Sequence, residues 1–354
     1  MNKIKKTIFI FIPSLLFLLI INSVSGLIAK NTYVRLNMVT KKTEKDTIGY
    51  YAPNQKRTIV FPGLKPYQVT INNLGLRTVG EDPQSIENTN NKQRILCVGD
   101  SMTFGLFNND EDSYPYQLQK IINDNNTNIE IFNAGIGSTT IRDHLYYIKE
   151  KGLALNPDIV ITNFYGNDLF ELDREKPYYK EILEWESPSF NRLFKRTKFM
   201  RAFLKFYVFN KYNYWLSKTD DEKLRDILEN KRTDIEDLLY ASQNKHAELT
   251  IREPYNPRLE KLWKKYFAEV DKAATFLESK KIKLIFLINP EILSVFEQTE
   301  GNHEEILIDY LNERGIPYIN LIPQWKKLKD NIIEYYNNAP RDFHLSRKGN
   351  QFLA

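Results

Sequence analysis

The sequence is poor in the residues that build disulfides and metal sites. Its only cysteine is Cys97, which excludes an intramolecular disulfide. Because Cys97 lies inside an apolar run, we expect a buried structural thiol. The sequence contains neither a His-Glu-x-x-His motif nor a cysteine pair, so we expect no metal constellation and no cofactor.

The sequence also lacks a strong excess of charge of either sign. It has 50 Lys and Arg against 45 Asp and Glu, a formal net charge of +5, and the two signs are mostly interspersed. Such a balance gives no indication of a nucleic-acid partner. The 354 residues, 42% of them hydrophobic, can build a sizeable core in one large domain or two ordinary ones. No internal repeat is visible.

One long apolar segment stands at the N-terminus, behind a cluster of lysines. It runs almost unbroken over residues 8–21 and continues with interruptions to residue 29. Since a stretch of about 20 residues can span a bilayer, we expect residues 1–30 to be an uncleaved signal anchor with its lysines in the cytoplasm. A cleaved signal with a site at Val24-Ser25-Gly26 stays open. The anchor would make the membrane a partner and place the rest of the chain in the periplasm or on the cell surface.

Residues 31–91 form a polar stretch that prolines and glycines divide into short pieces. Two β-like runs at residues 58–61 and 67–71 predict a small β-rich lead-in, which packs beside the domain that follows. Residues 81–91, rich in Asn and Glu and containing a proline, are typical of a linker.

From residue 92 to residue 354, runs of strand length alternate with helical segments. Strands are predicted at residues 95–98, 129–132, 159–164, 283–288 and 318–321. Helices are predicted at residues 116–122, 140–150, 259–279 and 304–314. The alternation indicates an α/β fold, in which a central parallel sheet of about five strands carries helices on both faces.

A long insertion at about residues 170–257 interrupts this alternation and shows no strand signal, so we expect it to be helical. Within it, residues 190–207 alternate aromatic and apolar side chains with Arg and Lys. That pattern fits a basic amphipathic helix on an anionic membrane surface. It also fits the buried aromatic face of a lid helix, which we favour because helical aromatic stripes mostly belong to a core.

The tripeptide Gly99-Asp100-Ser101 closes the apolar run that contains Cys97. A tight turn there leaves the Ser101 hydroxyl at the carboxyl end of a strand, the edge at which open parallel sheets hold their sites. We expect the Asp100 side chain to shape the turn by bonding nearby backbone groups. The Gly-x-Ser-x-Gly elbow of α/β-hydrolases is excluded, because Thr103 stands where that motif needs glycine.

A serine becomes a nucleophile only when a base, an orienting acid and oxyanion donors can reach it. Near the C-terminus, His344 can serve as the base. Asp342, two residues before it in what we expect to be a short loop, can fold back as the acid that orients it. Only four histidines are present. His144 lies in a predicted helix, and His246 and His303 lie in polar surroundings, so we expect these three to be solvated or structural.

Two further blocks follow apolar runs, Asn133-Ala134-Gly135-Ile136-Gly137-Ser138 and Gly166-Asn167-Asp168. Together with Gly99-Asp100-Ser101 and the Asp342 and His344 pair, they resemble the SGNH (GDSL-type) hydrolase family in kind and in order. The resemblance runs from about residue 94 to the C-terminus, apart from the insertion. It implies a flavodoxin-like three-layer α/β/α sandwich.

The resemblance also implies roles at the site. The oxyanion would be bound by the backbone N–H of Ser101, the side-chain amide of Asn167 and a third N–H from the second block. The family's glycine in that block, counted from Asn133, falls on Ser138, one step after Gly137, so either Gly137 or Ser138 is the third donor. The supporting positions of the blocks are Gly99, Asp100, Gly166 and Asp168.

Two segments have competing interpretations. Gly135-Ile136-Gly137 after a strand also begins a dinucleotide fingerprint, but Thr140 stands at its third glycine, and we discount that interpretation. The segment Asn72-Asn73-Leu74-Gly75-Leu76-Arg77 resembles the lead-in of some membrane-associated SGNH proteins. A glycine turn followed by a surface arginine explains it equally well.

By this resemblance the protein is an extracytoplasmic serine hydrolase that cleaves an ester through an acyl-enzyme. Export favours an acyl ester of a cell-surface glycan or of a lipid as the substrate, by analogy with the family. An O-acetyltransferase for an exported polysaccharide would use the same residues, since the acyl-enzyme is common to both reactions. A non-catalytic glycan-binding scaffold is the third hypothesis, and the intact Ser101, Asn167, Asp342 and His344 argue against it.

Overall fold

The computed structural model describes residues 47–60, 65–80, 83–125, 128–174, 255–289, 303–338 and 342–354, together with Phe17, Ile20, Leu36, Met38, Glu253, Glu291, Ser294 and Val295. The side chains of Lys329, Asp330, Asn338 and Asp342 are outside this description. The predicted anchor at residues 1–30, apart from Phe17 and Ile20, and nearly all of the predicted insertion lie outside the described residues. In the part of the chain that is described, no helix combines the length and apolar character needed to cross a bilayer.

The strands within the described ranges are β1 (Gln55–Ile59), β2 (Tyr67–Ile71), β3 (Gln93–Val98), β4 (Ile129–Asn133), β5 (Ile159–Phe164), β6 (Lys283–Ile288), β7 (Tyr318–Asn320), β8 (Tyr336–Asn338) and β9 (Asp342–Leu345). Strands β3 to β7 form one parallel sheet in the order β4-β3-β5-β6-β7. The predicted α/β fold with a central parallel sheet of five strands is confirmed. In sheets of this order, sites form where the order reverses, here at the carboxyl ends of β3 and β5.

The helices within the described ranges are α1 (Ser101–Phe104), α2 (Tyr114–Asp124), α3 (Ile141–Glu150), α4 (Asn167–Glu171), α5 (Pro257–Ser279), α6 (His303–Arg314), α7 (Ile322–Lys326) and α8 (Arg347–Leu353). The longer ones begin at capping signals. Thr140 forms a reciprocal capping box with Asp143 at the start of α3. At the start of α5, the Asn256 side chain accepts the backbone N–H of Arg258 at 3.0 Å.

Side chains of the central strand β3 alternate between two hydrophobic clusters, one on each face of the sheet. Leu96 and Val98 pack with residues of α3, α5 and α6. Ile95 and Cys97 pack with residues of α2, α7 and α8 on the other face. Both faces are therefore buried, which explains why β3 is a continuous apolar run. Cys97 is buried as expected, and burial raises the pKa of its thiol to about 12.

The lead-in packs directly on the domain. Strands β1 and β2 form an antiparallel hairpin, whose buried side chains form a small cluster with Phe104 of α1. The following segment, predicted as a linker, is fastened to the sheet, because the Gln84 side chain donates to the Ile131 carbonyl at 2.6 Å. Arg77 is only 1% exposed, which excludes the surface arginine of the simpler interpretation.

Candidate active site

The turn after β3 places Ser101 at the carboxyl edge of the sheet. Asp100 caps the short helix α1, and its Oδ1 accepts the Met102 N–H at 2.8 Å, as expected from the sequence. A Cβ added to Gly99 would lie 2.0 Å from Thr103 Oγ1, so only glycine fits between the strand and the helix. The turn therefore presents the Ser101 hydroxyl in a fixed direction.

His344 reaches Ser101 from the other end of the chain. Its Nε2 lies 2.8 Å from Ser101 Oγ, a hydrogen-bond distance. The expected short loop around His344 is instead strand β9, which pairs with β8 in an antiparallel hairpin. The ring of Phe107 meets the imidazole edge-on, with 5.2 Å between the centroids. Asp342 belongs to β9, but because its side chain is outside the description, its orienting role stays a prediction.

The second block lies against the turn that carries Ser101. The Gly99 carbonyl accepts the Ile136 N–H at 2.9 Å and the Thr139 hydroxyl at 3.0 Å. A Cβ added to Gly137 would have Ser101 Cβ as its nearest neighbour, at 3.8 Å. Ser138 has a φ of +66°, in the left-handed region where glycine is favoured. The fold thus brings both candidate donors to the site without choosing between them.

Asn167 begins α4, directly after the turn that follows β5. Its Nδ2 lies 3.4 Å from Asp100 Oδ2, and the same oxygen lies 3.5 Å from Ser101 Oγ. These long contacts converge on Asp100, which is 2% exposed. Burial raises the pKa of Asp100, while the Met102 N–H and the nearby His344 act in the opposite direction. Ser101, His344 and Asn167 therefore lie together around one buried carboxyl.

Asp168 is buried beneath this site and does not line it. It is 1% exposed, and burial holds its pKa well above the ordinary value, with the negative charges of Asp100 and Glu171 adding to the effect. Its backbone N–H donates to the Tyr165 carbonyl at 2.9 Å and closes the turn before α4. Asp168 is thus a buried member of its block, and its backbone N–H closes the turn before α4.

Two charged residues beside the site were not predicted from the sequence. The Arg174 guanidinium donates to the Ser138 carbonyl, and its Nη2 lies 3.7 Å from Glu171 Oε1. Burial raises the pKa of Glu171 to about 7; Arg174 opposes this shift and Asp100 adds to it. The only sequence pattern that linked Glu171 to the predicted site was its i, i+4 spacing from Asn167. Every exposed helix offers many such pairs, so this pattern did not identify Glu171.

A buried polar cluster lies behind Gly166. A Cβ added to Gly166 would lie 2.3 Å from Glu291 Oε1 and 2.8 Å from His303 Nε2, which explains the glycine. Glu304 accepts the Glu291 N–H at 3.0 Å and the Ser294 hydroxyl at 3.0 Å. Burial raises the pKa of Glu291 to about 7, an effect that nearby His303 opposes. His303 is therefore a buried structural residue rather than a solvated one.

Of the two remaining histidines, His144 lies within the described ranges and is buried. His144 lies between the hydroxyls of Thr139 and Thr162, at 3.2 and 3.0 Å, and burial lowers its pKa to about 3, so it stays neutral. His246 lies outside the described residues. No group of three or more His, Cys, Asp or Glu side chains within the described ranges is arranged to hold a metal ion.

The chain is similar to a described protein family and to several solved structures. The family model described as GDSL-like Lipase/Acylhydrolase family matches residues 97–352. Among solved structures, a putative lipolytic protein of the G-D-S-L family from Desulfitobacterium hafniense has 14% identity and a TM-score of 0.38, over 74% of this chain and 95% of that one. A catalytic mutant of Axe2, an acetylxylan esterase from Geobacillus stearothermophilus, has 12% identity and a TM-score of 0.39, over 74% and 90% of the two chains. A search of curated proteins gives no match.

Proposed function

Because the chain belongs to the GDSL-like lipase/acylhydrolase family, whose members cleave esters, we propose that Ser101 is the nucleophile of this esterase and His344 its general base. The observation that carries the proposal is the 2.8 Å distance between Ser101 Oγ and His344 Nε2, across 243 residues of sequence. Nucleophile and base at hydrogen-bond distance are the arrangement that acyl transfer requires.

In the proposed mechanism, His344 Nε2 accepts the Ser101 proton as Oγ attacks the acyl carbon. The resulting oxyanion is bound by the Ser101 N–H, the Asn167 side-chain amide and one N–H of the second block, at Gly137 or Ser138. The imidazolium then gives its proton to the departing alkoxide, which leaves an acyl-enzyme. Water, deprotonated by His344, releases the acid and restores Ser101. Asp342 would hold the other imidazole nitrogen as a donor.

Substrate and location are also proposals. We place the catalytic domain outside the cytoplasm, held at the membrane by residues 1–30, because those residues combine lysines with a long apolar run. A substrate there would be an acyl ester of a cell-surface glycan or of a lipid. Hydrolysis and acyl transfer differ in whether water or a sugar hydroxyl accepts the acyl group from the acyl-enzyme. Free acid must therefore be the main product if the enzyme is a hydrolase.

The test is ester hydrolysis by the chain without its first 30 residues, with free acid measured as the product. Ser101→Ala and His344→Ala should each reduce kcat by about 10³-fold or more. Ser279→Ala is the matched control, because Ser279 is exposed and its hydroxyl donates to the Phe276 carbonyl within α5. A Ser101→Ala enzyme with activity close to that of the Ser279→Ala enzyme would contradict the proposal.

A further inference from the structure

Arg77 of the lead-in is buried among backbone carbonyls of the loop that follows the nucleophile helix. Its guanidinium donates to the carbonyls of Phe104, Gly105 and Asn108, the last two at 2.7 and 2.6 Å. Its Nε lies 3.3 Å from Asp110 Oδ1, which supplies the countercharge. A buried charge is tolerated only when it is paired and hydrogen-bonded in this way. Arg77 therefore uses its donors to tie the lead-in to residues 104–110.

The sequence motif around residues 72–77 builds the turn that delivers this arginine. Asn72 Oδ1 accepts the N–H groups of Leu74 and Leu76 at 2.9 and 3.1 Å. Gly75 has a φ of +80°, and a Cβ there would lie 2.7 Å from the Tyr51 carbonyl oxygen, so the turn requires glycine. The chain then returns to the domain, where Arg77 forms a β-bridge with Asn133 at the end of β4.

Arg77 contacts the end of the helix that begins with Ser101. Its guanidinium carbon lies 4.7 Å from the centroid of the Phe104 ring. The next residue, Gly105, donates its N–H to the Ser101 carbonyl at 3.0 Å, as does Leu106. Residues 101–106 thus form one compact turn, and Arg77 donates to its carbonyls at Phe104 and Gly105. Displacement of the loop would move Ser101.

The same loop also contacts the strand that carries His344. Asn108, whose carbonyl accepts from Arg77, donates its side-chain amide to the Leu345 carbonyl at 2.8 Å. Phe107, the residue before it, packs edge-on against the imidazole of His344. The loop therefore touches both partners of the 2.8 Å contact, and Arg77 is a common anchor for them.

We propose that Arg77 is a positioning residue, which holds Ser101 and His344 in register through the loop of residues 104–110. The proposal rests on the proposed function, since it assumes that Ser101 and His344 react. Arg77 lies before residues 97–352, so the family match does not assign it a role. The lead-in would then be part of the catalytic unit rather than a spacer between the membrane and the enzyme.

Arg94 offers a matched control at the other end of the sheet. It is also 1% exposed, pairs with Glu130 at 3.2 Å, and donates to the Ile86 and Leu155 carbonyls at 2.7 and 2.8 Å. It lies near the start of β3, and about 13 Å of strand separate it from Val98 at roughly 3.3 Å per residue. Arg77 and Arg94 thus have comparable burial and hydrogen bonding. Of the two, Arg77 is the one that contacts the loop of residues 104–110.

The experiment compares Arg77→Lys with Arg94→Lys, because lysine keeps the charge but cannot reproduce the planar fork of donors. Melting temperature, kcat, KM and the rate of labelling by a fluorophosphonate are measured well below both melting temperatures. Both variants should lose stability. Arg77→Lys should lose about 10²-fold in kcat and in labelling rate, since a misplacement of about 1 Å costs that much, while KM changes less than about threefold. Arg94→Lys should keep kcat within about threefold.

Equal kcat losses in the two folded variants would overturn the proposal, and so would an Arg77→Lys enzyme with wild-type kcat and labelling. If Arg77→Lys does not fold, Asn108→Ala is the second test. It removes the donor to Leu345 and should slow labelling with little change in KM; wild-type labelling would then overturn the proposal. Ser101→Ala distinguishes failure of the proposed function from failure of the positioning role. An active Ser101→Ala enzyme refutes Ser101 as the nucleophile. An inactive Ser101→Ala enzyme together with a fully active Arg77→Lys enzyme refutes only the positioning role of Arg77.

Discussion

Replacement of Ser138 by glycine and by alanine tests whether the second block is held in the conformation described. Ser138 has a φ of +66°. A left-handed backbone costs a non-glycine residue about 1–2 kcal/mol, and glycine avoids this cost. Both replacements remove the hydroxyl, and they differ from each other only by a methyl group. The difference between their free energies of unfolding therefore reports the cost of the left-handed backbone.

The expected difference can be worked out in sign and size. At an unstrained position, alanine stabilises a protein relative to glycine by about 0.4–1 kcal/mol, because the unfolded chain has fewer conformations to lose. At Ser138 the left-handed cost should outweigh this term, so Ser138→Gly should be more stable than Ser138→Ala by about 1 kcal/mol. That difference corresponds to about a fivefold change in the unfolding equilibrium constant.

The assay is urea unfolding of both variants, with the slopes compared so that a shift in midpoint reports stability. A Ser138→Ala protein as stable as Ser138→Gly, or more stable, would refute the left-handed assignment. Activity gives a second readout, since both variants keep the backbone N–H and should keep kcat within about threefold if that N–H binds the oxyanion. Proline is no substitute test, because its φ near −65° lies about 130° away and would break the turn.

Three further predictions concern buried groups near the site. Gly166→Ala should lower the free energy of unfolding, measured in urea, by about 1–3 kcal/mol, because its methyl would lie 2.3 Å from Glu291 Oε1. Gly137→Ala, whose methyl would have its nearest neighbour 3.8 Å away, should lower it by less than about 1 kcal/mol. Equal decreases in the two variants would contradict this prediction. The folded-state pKa of Glu291 is raised from 4.5 to about 7, so the folded state holds the proton more tightly, and the free energy of unfolding should fall as pH rises from about 4.5 to 7. Glu291→Gln should flatten that fall by an amount on the order of 3 kcal/mol, and an unchanged slope would argue against a buried carboxyl. Cys97, whose thiol is buried with a pKa of about 12, should react with a thiol reagent only after denaturation, and rapid labelling of the native protein would contradict its position in the core.

The sheet and the turn that carries Ser101 were predictable because their signals are local. An apolar run that ends in Gly99-Asp100-Ser101 indicates a buried strand followed by a tight turn without reference to any other part of the chain. The hairpin of β8 and β9 was not predicted, and the expected loop around His344 is a strand. His344 could still be named as the candidate base from its residue type, because that choice did not depend on the loop, and the role of Asp342 stays a prediction.

Arg77, Glu291 and His303 show what local patterns miss. Arg77 follows a glycine turn in a polar segment, and its acceptors lie 27 to 33 residues further along the chain. His303 stands in a polar stretch that indicates exposure, and Glu291 is a charged residue just after a proline, yet both are buried behind Gly166. In each case burial is set by partners distant in sequence, so composition and periodicity carry no trace of it. The sequence could not decide between Gly137 and Ser138 for a different reason. The block indicates where the turn lies, but it does not indicate which N–H points at the substrate.

In the proposed mechanism, Ser101, activated by His344, forms the covalent intermediate. The direct measurement is peptide mapping by mass spectrometry after reaction with a fluorophosphonate, on the wild type and on His344→Ala. We expect one adduct, on the peptide that contains Ser101. Labelling of His344→Ala should be slowed by about 10²-fold or more, because the hydroxyl then lacks its base. An adduct on another residue, or equal labelling rates in the two proteins, would contradict this mechanism.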